Sequence, residues 1–179
     1  MNIRRLLCAA VSCTILGMLT GIVLQSTTSP VPKPAKNYSL YATGFNLTLL
    51  GFLKNNSIVL LIVVMGMGVI TGLTLFLIGI PLGLRLFCDP FLFLVLPHGI
   101  FELVGLWLAG AAGFYIPVGG VSYCLQNREK VLYDEEIEQL ARLIFAAAVL
   151  MVIAAAVETT VTRWIADIVV VASPKLNMM

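Results

Sequence analysis

The chain has 179 residues, 60% hydrophobic and 11% charged, whereas a soluble domain is about 45–50% apolar and about 25% charged. Mean hydropathy is +1.02, and eight of the twenty charges fall between Arg128 and Arg142. That excludes an ordinary globular core and implies an all-α polytopic membrane protein, a single membrane domain over residues 1–179. With a formal net charge of +2, nothing points to nucleic acid.

Arg4 and Arg5 precede the apolar run Leu6–Leu24, and no A-x-A site follows it. An uncleaved signal-anchor helix over residues 6–24 is expected, with the N-terminus cytoplasmic. Residues 25–56 are rich in Pro, Ser, Thr and Lys and form the expected polar external loop. Within it, Phe45–Phe52 is apolar enough to lie along the interface. Asn37, Asn46 and Asn55 begin sequons, which matter only in a glycosylating compartment.

Residues 57–172 form the expected core. Ile58–Ile80 is the strongest spanning pattern and carries Gly66, Gly68 and Gly72, the last two at the small-xxx-small spacing that lets helices approach. Gly17/Gly21 and Gly79/Gly83 repeat that spacing, which suits packing within one chain or a homodimer. Pro81 interrupts the pattern, and Leu82–Leu96 is a weaker fifth span in which Arg85 and Asp89 lie four apart. His98–Ile116 is apolar and ends at Pro117-Val-Gly-Gly120. Residues 134–144 read as an amphipathic stretch feeding straight into the alanine-rich span Leu143–Val157. The expected fold is thus a bundle of about five transmembrane helices with a Pro-broken segment near residue 97. Cys8, Cys13, Cys88 and Cys124 match no zinc or redox spacing.

The informative stretch is LPHGIFELVGLWLAGAAG, residues 96–113. On a helix, His98 and Glu102 share a face that Gly105, Ala109 and Gly113 continue. An ionisable group at mid-membrane costs roughly 2.5 kcal/mol or more unless paired, neutral or in a wet cavity, so this stripe should face protein. Pro97 lacks an N–H and disfavours helix before it, which predicts a helix break at Pro97–Gly99. Glu158, with Thr162 four residues on, is a second polar island and a candidate partner for His98. Three uses compete for these residues: an interhelical hydrogen-bond cluster, an ion, proton or small-ligand pathway, or a metal site built from His98, Glu102 and Glu158. H-x-x-x-E is not H-E-x-x-H, and the chain has one histidine, so no zincin site is available. No catalytic residues, cofactor or metal are expected.

Leu96-Pro-His-Gly99, Phe101-Glu102-Leu103 and Ala109-Gly-Ala-Ala-Gly113 resemble the central signature of the stage II sporulation protein M family of integral membrane proteins. Phe52-Leu53-Lys54-Asn55-Asn56 is similar to the family's F-x-x-N-N, and Val157-Glu158-Thr159-Thr160-Val161-Thr162 to its closing I-E-x-x-V-T. The resemblance spans roughly residues 45–163. Ile78 precedes Gly79 where the family often has asparagine, and Arg163 stands where it often has proline. The resemblance implies a non-enzymatic scaffold in the cell membrane that anchors peptidoglycan-remodelling partners of the cell envelope. The alternative is a membrane component of a transport or bacteriocin production and immunity system working with an ATPase.

Overall fold

The computed structural model describes residues 2–27, 49–85, 92–162 and 164–165. They form five α-helices: α1 (Ile3–Thr27), α2 (Leu49–Met65), α3 (Val69–Arg85), α4 (Leu92–Cys124) and α5 (Asp134–Val157). The last runs into a π-helical turn, Glu158–Thr162. Helices dominate because a chain this apolar can satisfy its backbone N–H and C=O groups in hydrocarbon only within the segment itself. Three helices are long and apolar enough to cross a membrane: α1, α4 from Leu96 onward, and α5 with its π extension. The other two, α2 and α3, are shorter apolar helices.

The tightest pairing is α1 against α3. A Cβ on Gly17 would collide with the Phe76 carbonyl, on Gly21 with that of Ile80, on Gly79 with that of Thr14, and on Gly83 with that of Met18. The two small-xxx-small steps therefore face one another within a single chain, in register and running in the same direction. Close backbone approach of this kind gains dispersion contact without a hydrophobic drive. Behind this pair, Ala10, Val63, Leu75, Leu106, Ala109, Ala147 and Met151 make one buried cluster, and Leu6, Ala111, Ala112, Tyr115 and Leu143 a second.

The helix boundaries differ from expectation in an instructive way. Ile58–Ile80 is two helices, because the chain reverses at Gly66–Gly68, where Met67 has φ 48° and Gly68 φ 85°. A positive φ costs glycine little. The Thr71 hydroxyl clamps the turn, donating to the Val63 carbonyl at 2.8 Å and accepting from the Gly68 N–H at 3.3 Å. Gly68, expected on a packing face, is thus a turn former; Gly72 packs against Cys13 and Phe114. Pro81 lies inside α3, and Pro97 and Pro117 inside α4. The break expected at Pro97 and Gly99 is absent. Pro97 falls early in the helix, where one missing N–H disturbs only the carbonyl of Phe93, and breaking the helix would expose more backbone than it frees. Pro117 likewise does not end the helix. Leu82–Leu96 is not a separate span: residues 82–85 close α3, 92–96 open α4, and those between, with Cys88 and Asp89, lie outside the described residues. The loop expected over 25–56 is already helical from Leu49.

Contacts place the ends of the helices. Asn2, Ile3 and Arg4 line a groove with Gln139, Arg142 and Leu143, and Gly68 sits beside Pro117. The start of α1, the α2–α3 turn and the α4–α5 loop therefore share one end of the bundle. In that loop Arg128 pairs with Glu136 and stacks 4.9 Å over the Tyr133 ring. The hydrogen bond from Arg128 to Glu136 is the main reason the guanidinium pKa rises above its ordinary value. Glu136 also accepts from the Tyr133 N–H at 3.1 Å, capping the start of α5.

Replacing Gly79 by valine should cost roughly 1–3 kcal/mol, because nothing but backbone can yield. Gly120→Ala meets nothing within 4 Å and should be neutral or stabilising by up to about 1 kcal/mol. Thermal unfolding in detergent compares the two.

Candidate functional site: an intramembrane polar cluster

At the opposite end of the bundle, residues far apart in sequence converge. Asn56 of α2 is buried, and its Nδ2 donates to Glu102 Oε1 of α4 at 2.9 Å. His98, one turn before Glu102, is buried, with Nε2 3.9 Å from Glu158 Oε1 at the end of α5. Glu102 and Glu158 are half-buried. Three helical segments are therefore linked by two polar contacts, and the i, i+4 spacing on α4 presents one side chain to each neighbour.

Local structure explains how each group arrives there. The F-x-x-N-N stretch turns Asn56 inward and leaves Asn55 exposed. Small residues next to the polar pair let α4 sink into the bundle: a Cβ on Gly105 would press on the Ala147 carbonyl at 3.3 Å and Met151 at 3.4 Å, Ala109 is fully buried, and Gly113 abuts Val63 and Thr71. Gly99, beside His98, is part of the continuous helix. Glu158 begins the π turn. A π turn widens the helix and re-aims its side chains. Thr159 and Thr160 donate to the carbonyls of Ala155 and Ala156 at 2.9 and 2.7 Å, a back-bonding that bends helices. These threonines are occupied by their own helix. The side chain of Thr162 lies outside those described.

The metal arrangement considered for His98, Glu102 and Glu158 is not formed: among the described residues, no group of three or more His, Cys, Asp or Glu side chains could hold a metal ion. Two further ties were not legible as contacts. Trp107 Nε1 donates to Thr14 Oγ1 at 3.2 Å, joining α4 to α1. The Tyr115 hydroxyl donates to Gln139 Oε1 at 2.8 Å, joining α4 to α5 at the other end. A tryptophan or tyrosine in an apolar helix signals that its polar atom needs a partner, but spacing does not say which.

The class defined by this architecture is a helical membrane protein whose longest internal helix carries a buried, cross-linked polar pair. A family model described as Stage II sporulation protein M matches residues 9–163, and the chain belongs to that family. An uncharacterized protein of Methanocaldococcus jannaschii is 30% identical over 163 residues, covering 84% of this chain and 90% of its own length. A second uncharacterized protein of the same organism is 33% identical over 84 residues, 45% of this chain and 38% of its own. No solved structure matches the chain. Asn56, His98, Glu102 and Glu158, which lie far apart in the matched span, are brought together as two pairs.

Truncating either member of the Asn56–Glu102 bond strands a partly buried partner. Asn56→Ala and Glu102→Ala should each cost about 1–3 kcal/mol. A double-mutant cycle should give a coupling of about 0.6–1.7 kcal/mol, the range for hydrogen bonds between membrane helices. Unfolding of the purified variants in mixed micelles measures it.

Proposed function

We propose that this protein is a non-enzymatic, multi-pass scaffold of the cell membrane, with a cytoplasmic N-terminus, that anchors protein partners of the cell envelope, peptidoglycan-remodelling enzymes among them. The observation that carries the proposal is that polar residues of the family-like stretches pair across helices. Asn56 engages Glu102 and His98 faces Glu158, so the polar groups that the family likeness highlights fasten helices together. A fastener gives a scaffold a fixed shape without asking for a substrate. Family membership supports the same reading, since the resemblance implies an anchor for wall-degrading partners. Arg4 and Arg5 stand directly before the apolar stretch of α1, which supports a cytoplasmic N-terminus. The end of α1 and the start of α2 then face the outer side, where wall enzymes act.

A second reading has its own observation. Two carboxylates and an imidazole sit together inside membrane helices near one end of the bundle, a placement that also suits an ion or proton path in a transport or immunity component.

Purification from the native membrane in mild detergent, followed by mass spectrometry, should return wall hydrolases or their adaptors; a transport ATPase in their place would overturn the scaffold proposal. Glu102→Gln separates the readings at residue level. A glutamine carbonyl still accepts from Asn56 but carries no charge. The scaffold reading expects normal accumulation and normal partner recovery, whereas the pathway reading expects normal accumulation with lost transport or resistance.

A further inference from the structure

The groove between the first turn of α1 and the outer part of α5 has a volume of about 580 Å³ and is lined by Asn2, Ile3, Arg4, Gln139, Arg142 and Leu143. Its two cations come from different helices. Arg4 is exposed and follows directly on the start of α1. Arg142 pairs with Glu138, one turn back on α5, and both side chains are well exposed, at 73% and 65%. Such a pair contributes little in water and is easily exchanged for a stronger anion. Gln139 lines the same groove. Its Oε1 is taken by the Tyr115 hydroxyl, which orients the amide and leaves its N–H groups to donate. The apolar residues of the lining are Ile3, which is exposed, and Leu143, which is buried; farther along α5, toward the hydrocarbon, Phe145 and Val149 are exposed.

We infer that this groove binds the phosphate headgroup of an anionic phospholipid, with Arg4, Arg142 and the Gln139 amide on the phosphate and Ile3 and Leu143 against the start of an acyl chain. Guanidinium groups suit phosphate oxygens because they present several donors in one plane. Basic pockets between membrane helices at the interface bind anionic headgroups for the same reason.

Of the acids at this end, Glu138 touches a groove cation through its pair with Arg142, and Asp134, Glu135 and Glu136 stand at the start of α5. Asp134, Glu135, Glu136 and Glu138 precede Arg142 by four to eight residues, about 6–12 Å of helix, and so lie farther from the hydrocarbon. Glu136 is held by Arg128. The electrostatic order along α5 is acid outside and base at headgroup depth, the arrangement an anionic headgroup reads favourably. The apolar walls decide between a lipid and a free phosphate ion, because only a lipid gains from them. This inference is independent of the scaffold proposal.

The test uses the full chain in neutral detergent, titrated with phosphatidylglycerol, with phosphatidylcholine of the same chains, or with inorganic phosphate. Thermal unfolding and native mass spectrometry supply the readouts. Phosphatidylglycerol should raise the melting temperature and be retained as a bound lipid, while phosphatidylcholine and inorganic phosphate should not. Arg4→Gln and Arg142→Gln should each weaken phosphatidylglycerol binding about tenfold, with unchanged helix content and unchanged melting without lipid, since both side chains are exposed. Lys54→Gln, at the other end of the bundle, should leave the response intact. Equal stabilisation by phosphatidylcholine, or an undiminished response in the Arg4→Gln/Arg142→Gln double variant, overturns the site. Equal stabilisation by inorganic phosphate overturns its assignment to a lipid.

Discussion

Hydrocarbon offers a polar group no partner, and the architecture follows from that constraint. Backbone groups meet it by staying helical, even across Pro81, Pro97 and Pro117. Side chains meet it by finding one another. Asn56 reaches Glu102, His98 faces Glu158, Trp107 reaches Thr14, and Tyr115 reaches Gln139. Each tie crosses from α4 to a different neighbour or a different level of the same one. That makes α4, with its 33 residues, the post to which the others are fastened.

The glycines answer a different need. Between helices in lipid, apolar side chains gain nothing by meeting each other rather than lipid tails, so cohesion comes from close contact. Gly17, Gly21, Gly79 and Gly83 let two backbones touch, and Gly105 and Gly113 let α4 settle against α5 and α2. Polar ties set which helices meet, and small residues set how near they come. The stretch that resembles the family's central signature combines both on one face of α4: His98 and Glu102 first, then Gly105, Ala109 and Gly113.

Much of this was legible in the sequence because it depends on composition and short spacing. The apolar runs at Leu6–Leu24 and Leu143–Val157 are read directly off the chain, whereas in the entry to α5 Glu136 turns inward and Ile137 outward, against the apolar–polar pattern. The His98–Glu102 stripe required only the helical repeat, and Glu158 stood out as an acid in an apolar run. What was not legible depends on competition or on distance. Proline looks like the stronger breaker by its covalent chemistry, yet in hydrocarbon the helix persists and the chain reverses at Gly66–Gly68, where Thr71 closes the turn. The Trp107–Thr14 contact joins positions 93 residues apart, and no local repeat encodes such a meeting. Of the neighbouring Asn55 and Asn56, only the helix phase decides which turns inward.

The α2–α3 hairpin has a consequence for the surrounding bilayer. Its outer surface is greasy, with Leu50, Leu61, Met65, Val69 and Ile70 all strongly exposed. Lipid beside the hairpin meets apolar side chains as far as the turn itself, where Met65, Met67 and Val69 are exposed. A reversal so apolar is held at the membrane boundary instead of in open water, and ties that end of the bundle to it.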